Sequence, residues 1–243
     1  MKVIRDIKYG PKPLNIFDVY YPESEYSKVL VHFHGGGIES GDKCDESQMG
    51  CAEWIAKNGI LAIEVDYSMY PTAKFPEFIE DVAKAVAYIK KEYAEGKELY
   101  ISGQSAGAYL TLMLCFATHY LKNEGVDPMD IAGWLVDSAQ TTAHFNVLRE
   151  YGIDSRAQIM DEKGPQFYVN ADTKFTRVKL FFYTQDMPCR YEQNMLFYKS
   201  ILQFNPNANI EYEVLEGTHC SWSGCMRDGI YPICPKFLEF MNK

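Results

Sequence analysis

The chain has 243 residues, a formal net charge of −9, and is 47% hydrophobic and 14% aromatic. That suffices for one sizeable domain with a large core. The acidic balance argues against nucleic acid and an anionic membrane surface as partners, since both demand clustered Lys and Arg. The first eight residues are too charged for a signal peptide. The longest apolar stretch, within 106–121, is too short and interrupted to span a bilayer. Seven cysteines without Cys-x-x-Cys spacing fit free thiols, and a cytoplasmic location is expected. Cys220, Cys225 and Cys234 beside His219 match no common zinc spacing, so no metal is expected.

Residues 14–21 alternate loosely (Leu14, Ile16, Val19, Tyr21) and predict a half-exposed antiparallel strand ended by Pro22. Residues 29–34 form a nearly continuous apolar run that enters Gly35-Gly36-Gly37, as expected of a strand buried on both faces. A helix is predicted over 47–58, closed by Asn58-Gly59, then a buried strand over 60–66. Residues 76–93 carry a helical stripe (Phe78, Ile79, Val82, Ala85, Val86, Ile89). A strand over 98–102 and a helix from Ala108 to about Leu121 follow, then strands over 131–136, 178–183 and 210–215. Further helices are predicted over 191–204 and 235–241. This alternation predicts a single α/β domain with a mostly parallel sheet and helices on both faces. Residues 140–176 are too irregular and too long for an ordinary loop and are read as a small lid insertion. Its aromatic residues Tyr151, Phe167, Tyr168 and Phe175 are expected to face an acyl group.

Between the strand at 98–102 and the helix from 108 lies Gly103-Gln104-Ser105-Ala106-Gly107. A Gly-x-Ser-x-Gly pentapeptide in a strand–turn–helix context presents its serine on a sharp, strained turn at the start of a helix. Ser105 is therefore the candidate nucleophile. It needs a base, an acid to orient the base, and donors for the oxyanion. His219 follows the last predicted strand and is the candidate base. His32 lies within a strand, His119 near a helix end and His144 in the expected lid. For the acid, Asp186 follows the strand at 178–183 and is preferred. Asp137, at the end of the intervening strand, is its main rival, with Glu216 and Asp172 behind. The backbone N–H of Ala106 and the loop His34-Gly35-Gly36-Gly37 are the candidate oxyanion donors. His34, Gln104 and Trp222 are further candidates to touch substrate, although Trp222 reads first as packing.

Together these motifs resemble the α/β-hydrolase superfamily, and within it the hormone-sensitive-lipase-like esterases and the acetylesterase/arylformamidase group. Asp66-Tyr67 and the segment Phe75-Pro76-Glu77-Phe78-Ile79-Glu80-Asp81-Val82 are similar to segments of those esterases. The resemblance runs from Leu14 onward. It implies an α/β-hydrolase fold with about eight strands and a Ser–His–Asp hydrolase with Gly36 and Gly37 as backbone donors. Asp66 and Asp81 would be structural. Ser68 stands where these esterases usually carry Arg, and no long N-terminal cap fits before Leu14. Both departures favour the compact acetylesterase-like or formamidase-like members. The expected substrate is a short-chain, small-molecule ester, cleaved through an acyl-enzyme without a cofactor. Amide or formamide hydrolysis by the same triad is the alternative, and a non-catalytic binding protein is the rival of a different class. A homodimer is left open.

Overall fold

A computed structural model describes residues 1–243. Its single sheet has eight strands: β1 (Lys2–Lys8), β2 (Ile16–Tyr21), β3 (Lys28–Phe33), β4 (Leu61–Val65), β5 (Glu98–Gln104), β6 (Gly133–Asp137), β7 (Val178–Gln185) and β8 (Ile210–Thr218). They lie in the order β1-β2-β4-β3-β5-β6-β7-β8. The pairs β1/β2 and β2/β4 are antiparallel, and every pair from β4 to β8 is parallel. The helices are α1 (Glu46–Lys57), α2 (Glu77–Tyr93), α3 (Ala106–Phe116), α4 (His119–Asn123), α5 (Phe145–Glu150), α6 (Arg190–Phe204), α7 (Ser221–Gly224) and α8 (Ile233–Met241). None is long and apolar enough to cross a membrane.

The pleat divides the core in two. Val29, Val31 and Phe33 of β3 join the larger cluster with the apolar faces of α2, α3 and α6. Leu30 joins a smaller cluster with α1 and α8 on the other side. This is the period-2 alternation of a strand covered on both faces. All eleven residues of α3 are buried, so this helix runs through the core rather than along the surface. Each of its Leu, Met and Phe side chains contributes about 1.5–3 kcal/mol through burial.

The order of β4, β3 and β5 reverses the chain direction across the sheet between β3 and β5. Such a switch point leaves a crevice at the carboxyl ends of the strands. The register aligns Phe33 with Gly103 and Gln104 with Asp137. The residues just past these three strands, His34–Gly37, Ser105 and Ser138, therefore emerge side by side. Farther along, Gln185 pairs with Thr218, which brings Asp186 beside His219.

Three elements differ from the sequence expectation. β1 was not anticipated. Its apolar residues Val3, Ile4 and Ile7 break strict alternation because Asp6 takes φ 57° and the register shifts between Ile4 and Ile7. A bulged edge strand leaves little periodic signal. The helix expected from Ala108 to Leu121 begins earlier, at Ala106, and breaks at Ala117 (φ −84°, ψ 65°) before α4. The exposed His119 and Lys122 could not continue a helix buried on every side. The aromatic residues of 140–176 are also placed otherwise. Phe175 packs on Phe116, at the end of α3 far from Ser105, and Tyr168 lies against His119. Phe167 is 55% exposed. Tyr151 is likewise exposed, with the Lys163 ammonium over its ring. The segment instead contributes α5, and the stretch 138–148 that leads into it is almost wholly buried.

Candidate active site

The turn after β5 is forced by close packing. A Cβ on Gly107 would lie 2.0 Å from the Phe33 carbonyl oxygen, and one on Gly103 would lie 2.3 Å from the Gly107 carbonyl carbon. Only glycine permits these approaches. Between them Ser105 adopts φ 53°, ψ −112°, a strained conformation for an L-residue. Its N–H donates to the Asp137 carbonyl at 2.8 Å, which ties the turn to β6. α3 starts at the next residue, so the first free N–H groups of the helix, Ala106 among them, gather beside the serine.

Ser105 Oγ lies 2.8 Å from His219 Nε2. On the other side of the ring, Nδ1 lies 2.5 Å from Asp186 Oδ1. With the proton on Nδ1, the imidazole donates to Asp186 and accepts from the Ser105 hydroxyl. Asp186 Oδ1 also accepts the Met187 N–H at 2.7 Å, and Oδ2 accepts the Ser138 hydroxyl at 2.5 Å. Burial opposes ionisation of Asp186. The hydrogen bonds from His219, Ser138 and Met187 outweigh it and hold the carboxyl below its usual range. Its rival Asp137 lies elsewhere. Asp137 Oδ2 accepts the Ser223 hydroxyl, and no hydrogen bond joins it to His219. Burial, incompletely offset by Ser223 and Tyr183, pushes its pKa to about 6.

The glycine loop bends over the same point. Gly36 and Gly37 take φ 100° and 67°, and a Cβ on Gly35 would sit 3.3 Å from Ser105 Cβ. The Gly36 carbonyl accepts the N–H groups of Glu39 and Ser40, and the Gly37 carbonyl accepts Asn146 Nδ2. The N–H groups of Gly36 and Gly37 donate to no group of the chain. Anchored carbonyls and free N–H groups can receive an oxyanion.

The sequence model of the BD-FAE family matches residues 17–154, more than half of the chain. The chain belongs to the BD-FAE family. Among curated relatives it is 27% identical over 158 residues to "Probable isoprenylcysteine alpha-carbonyl methylesterase ICMEL1" of Oryza sativa subsp. japonica, covering 63% of this chain and 36% of that protein. It is 30% identical over 115 residues to kynurenine formamidase of Danio rerio, covering 46% of this chain and 39% of that one. The matches thus span little more than a third of these relatives. Among solved structures, esterase B of Lactobacillus rhamnosis superposes with a TM-score of 0.75 at 14% identity, covering 99% of this chain and 84% of the other. Propionate-bound esterase 2 of Thermogutta terrifontis superposes at 0.73 and 19% identity, covering 98% and 91%. At such identities these structures establish the α/β-hydrolase fold.

Two residues expected to touch substrate lie otherwise in this BD-FAE member. His34 is 1% exposed. Its ring stacks on Tyr67 at 4.4 Å, and its Nδ1 lies 2.7 Å from the Gly35 carbonyl, so it braces the glycine loop from beneath and offers a ligand no surface. Trp222 is half-buried, donates its indole N–H to the Glu216 carbonyl and has the cations of Arg227 and Lys236 over its ring, the packing role that its sequence position suggested first. Gln104 is half-buried, its amide beside Gly35. Asp66 and Asp81 brace loops: Asp66 accepts the Lys43 N–H, and Asp81 accepts the Ser68 N–H. The cation beside Asp81 is Lys12, 3.0 Å away.

The sequence reading missed Ser138, Phe145 and Asn146. Ser138 takes φ 60°, and its hydroxyl touches both Asp186 and His219 Nδ1, the latter at 2.8 Å. Phe145 is the residue that a Cβ on Gly37 would strike, at 2.9 Å. A signal existed: Ser138 directly follows β6, the strand beside β5, just as Ser105 directly follows β5.

Proposed function

We propose that this chain is a serine hydrolase that cleaves short-chain acyl esters. Ser105 is the nucleophile, His219 the general base and Asp186 the acid that orients it. The observation that carries the reading is the continuous hydrogen-bonded line from Ser105 Oγ through His219 to Asp186, starting at a serine held at φ 53°. Ser105 Oγ attacks the carbonyl carbon while His219 Nε2 takes its proton. The negative charge that develops on the carbonyl oxygen meets the N–H groups of Ala106 and of Gly36 or Gly37, each such donor being worth about 3 kcal/mol. His219 then protonates the leaving alcohol, and the acyl group remains on Ser105. Water, deprotonated by His219, attacks the acyl-enzyme, and the acid is released as Ser105 regains its proton. The chemistry needs no metal or organic cofactor.

The propionate bound to the Thermogutta neighbour supports a short acyl group. Hydrolysis of a formamide is the second reading, supported by the likeness to kynurenine formamidase. All seven cysteines are free, which fits a reducing, cytoplasmic location. A fluorophosphonate probe tests the function. It is expected to label Ser105 and to fail with Ser105→Ala and His219→Ala. Folded wild-type protein that resists the probe would overturn the proposal. p-Nitrophenyl esters from acetyl to decanoyl, with N-formylkynurenine alongside, then rank the acyl groups. Preference for decanoyl would refute the short-chain assignment.

A further inference from the structure

Beside the candidate triad lies a cleft of about 460 Å³ between α5 and the start of α6. In a chain of net charge −9, its lining holds three arginines, Arg149, Arg156 and Arg190, and no Asp or Glu. Two contacts join it to the reaction centre. Phe145 of its wall abuts Gly37, and the Arg149 guanidinium lies over the Phe145 ring, 5.1 Å from its centre. Met187 of the opposite wall follows Asp186 and donates its N–H to that carboxylate. A substrate whose carbonyl oxygen reached the glycine loop would therefore extend its next atoms along Phe145 toward the guanidinium groups.

Arg190 is the least expected of the three. It is 4% exposed, yet no carboxylate lies within 4 Å of it, whereas Arg149 pairs with Glu39 and Arg156 with Asp154. Its Nη1 donates to the Ser138 carbonyl at 2.6 Å, and its buried Nε has no partner. Asp186 acts on it through space without contact, so the buried guanidinium has a counter-charge nearby but no ion pair, which leaves its burial incompletely compensated. Arginine's planar fork matches a carboxylate with two parallel hydrogen bonds.

We propose that this cleft binds a carboxylate carried by the substrate, so that the enzyme acts on acyl esters bearing a negative charge on one side of the scissile bond. The proposal rests on the acyl-transfer reading above, and its test separates the two. Two ester pairs are compared, each normalised to its rate with hydroxide: 4-acetoxybenzoate against its methyl ester, and 4-nitrophenyl hydrogen adipate against 4-nitrophenyl hexanoate. The expected result is a kcat/KM at least tenfold higher for the charged member of one pair. That preference should shrink as salt rises from 50 to 500 mM and fall toward unity in Arg149→Gln/Arg156→Gln or in Arg190→Lys. Equal rates within both pairs, or a preference that survives both variants, overturn the proposal. Calorimetric titration with glutarate and with glutaramide provides a readout without turnover. Glutarate binding lost in the double variant supports the cleft even if Ser105 proves inert. An enzyme that labels with fluorophosphonate but binds neither compound and prefers neutral esters refutes the cleft and leaves the triad standing.

Discussion

Asp186 and Asp137 end neighbouring strands, and exchanging each for asparagine gives opposite expectations. In Asp186→Asn, the side-chain oxygen must stay where Oδ1 is, because Met187 N–H and His219 Nδ1 both point there. The amide nitrogen then takes the place of Oδ2, and the Ser138 hydroxyl turns from donor to acceptor. The histidine keeps its tautomer and place, so what is lost is the negative charge facing the imidazolium of the transition state. A pair of unit charges about 4 Å apart at an effective dielectric of about 20 interacts by about 4 kcal/mol. That is roughly a 10³-fold loss in kcat/KM. Asp137→Asn touches neither Ser105 Oγ nor His219. Its carboxyl, raised from 3.8 to about 6, favours the folded state while protonated. That stability is fully present below about pH 4 and is lost as pH rises through 6. Ionising it by pH 8 costs on the order of 3 kcal/mol. The asparagine avoids that cost but buries an amide with Ser223 Oγ as its acceptor, for about 1–2 kcal/mol. The expected variant is about 1 kcal/mol more stable at pH 8 and retains activity within threefold. Steady-state kinetics on p-nitrophenyl acetate, with urea unfolding at pH 4.5 and 8, measures both. A 10³-fold loss in Asp137→Asn with near-normal turnover in Asp186→Asn would refute the assignment of the acid.

Ser138→Ala and Ser138→Gly each remove the hydroxyl between Asp186 and His219, and glycine also relieves φ 60°, so kcat/KM should fall about tenfold in both. Only the glycine variant should gain about 1 kcal/mol of stability, and activity within twofold of wild type in both would remove Ser138 from the site. Gly107→Ala puts a methyl 2.0 Å from the Phe33 carbonyl oxygen, and the expected cost is above about 3 kcal/mol, or a fall in Tm of more than about 6 °C. A Tm within 2 °C of wild type would mean that the helix can withdraw from β3. Asp66, buried beneath the glycine loop's brace His34, has its pKa pushed by that burial to about 7. It therefore contributes stability below about pH 4 that is lost as pH rises through 7, and Asp66→Asn should flatten the decline in urea midpoint between pH 5 and 8. An unchanged slope would assign that decline to other groups.

Fold class was legible because the parallel strands inside the sheet, β3 to β7, are covered on both faces, β8 being its exposed edge. The run at 29–34 and its counterparts are continuously apolar, and the intervening helices carry stripes. β1 escaped notice because its bulge at Asp6 destroys the period that an edge strand offers. Gly103 and Gly107 announced a tight turn, since no other residue fits against Phe33 and the next helix turn. The chain order of Ser105, Asp186 and His219, each just past a strand, could likewise be read directly. Their separation in space could not. Proximity across 33 and 114 positions depends on sheet order and register, which pair Gln185 with Thr218 and set β5 beside β6. The same register decides that Asp137 turns toward Ser223 while Asp186 meets the imidazole. It also puts Ser138 between them and swings Phe145 onto the glycine loop. Local sequence determined the strands, the helices and the strained turn, because steric limits and hydrophobic period act over a few residues. The tertiary structure alone decided which polar groups face one another. Hydrogen bonds and guanidinium clefts are made between segments that only the packed sheet brings together.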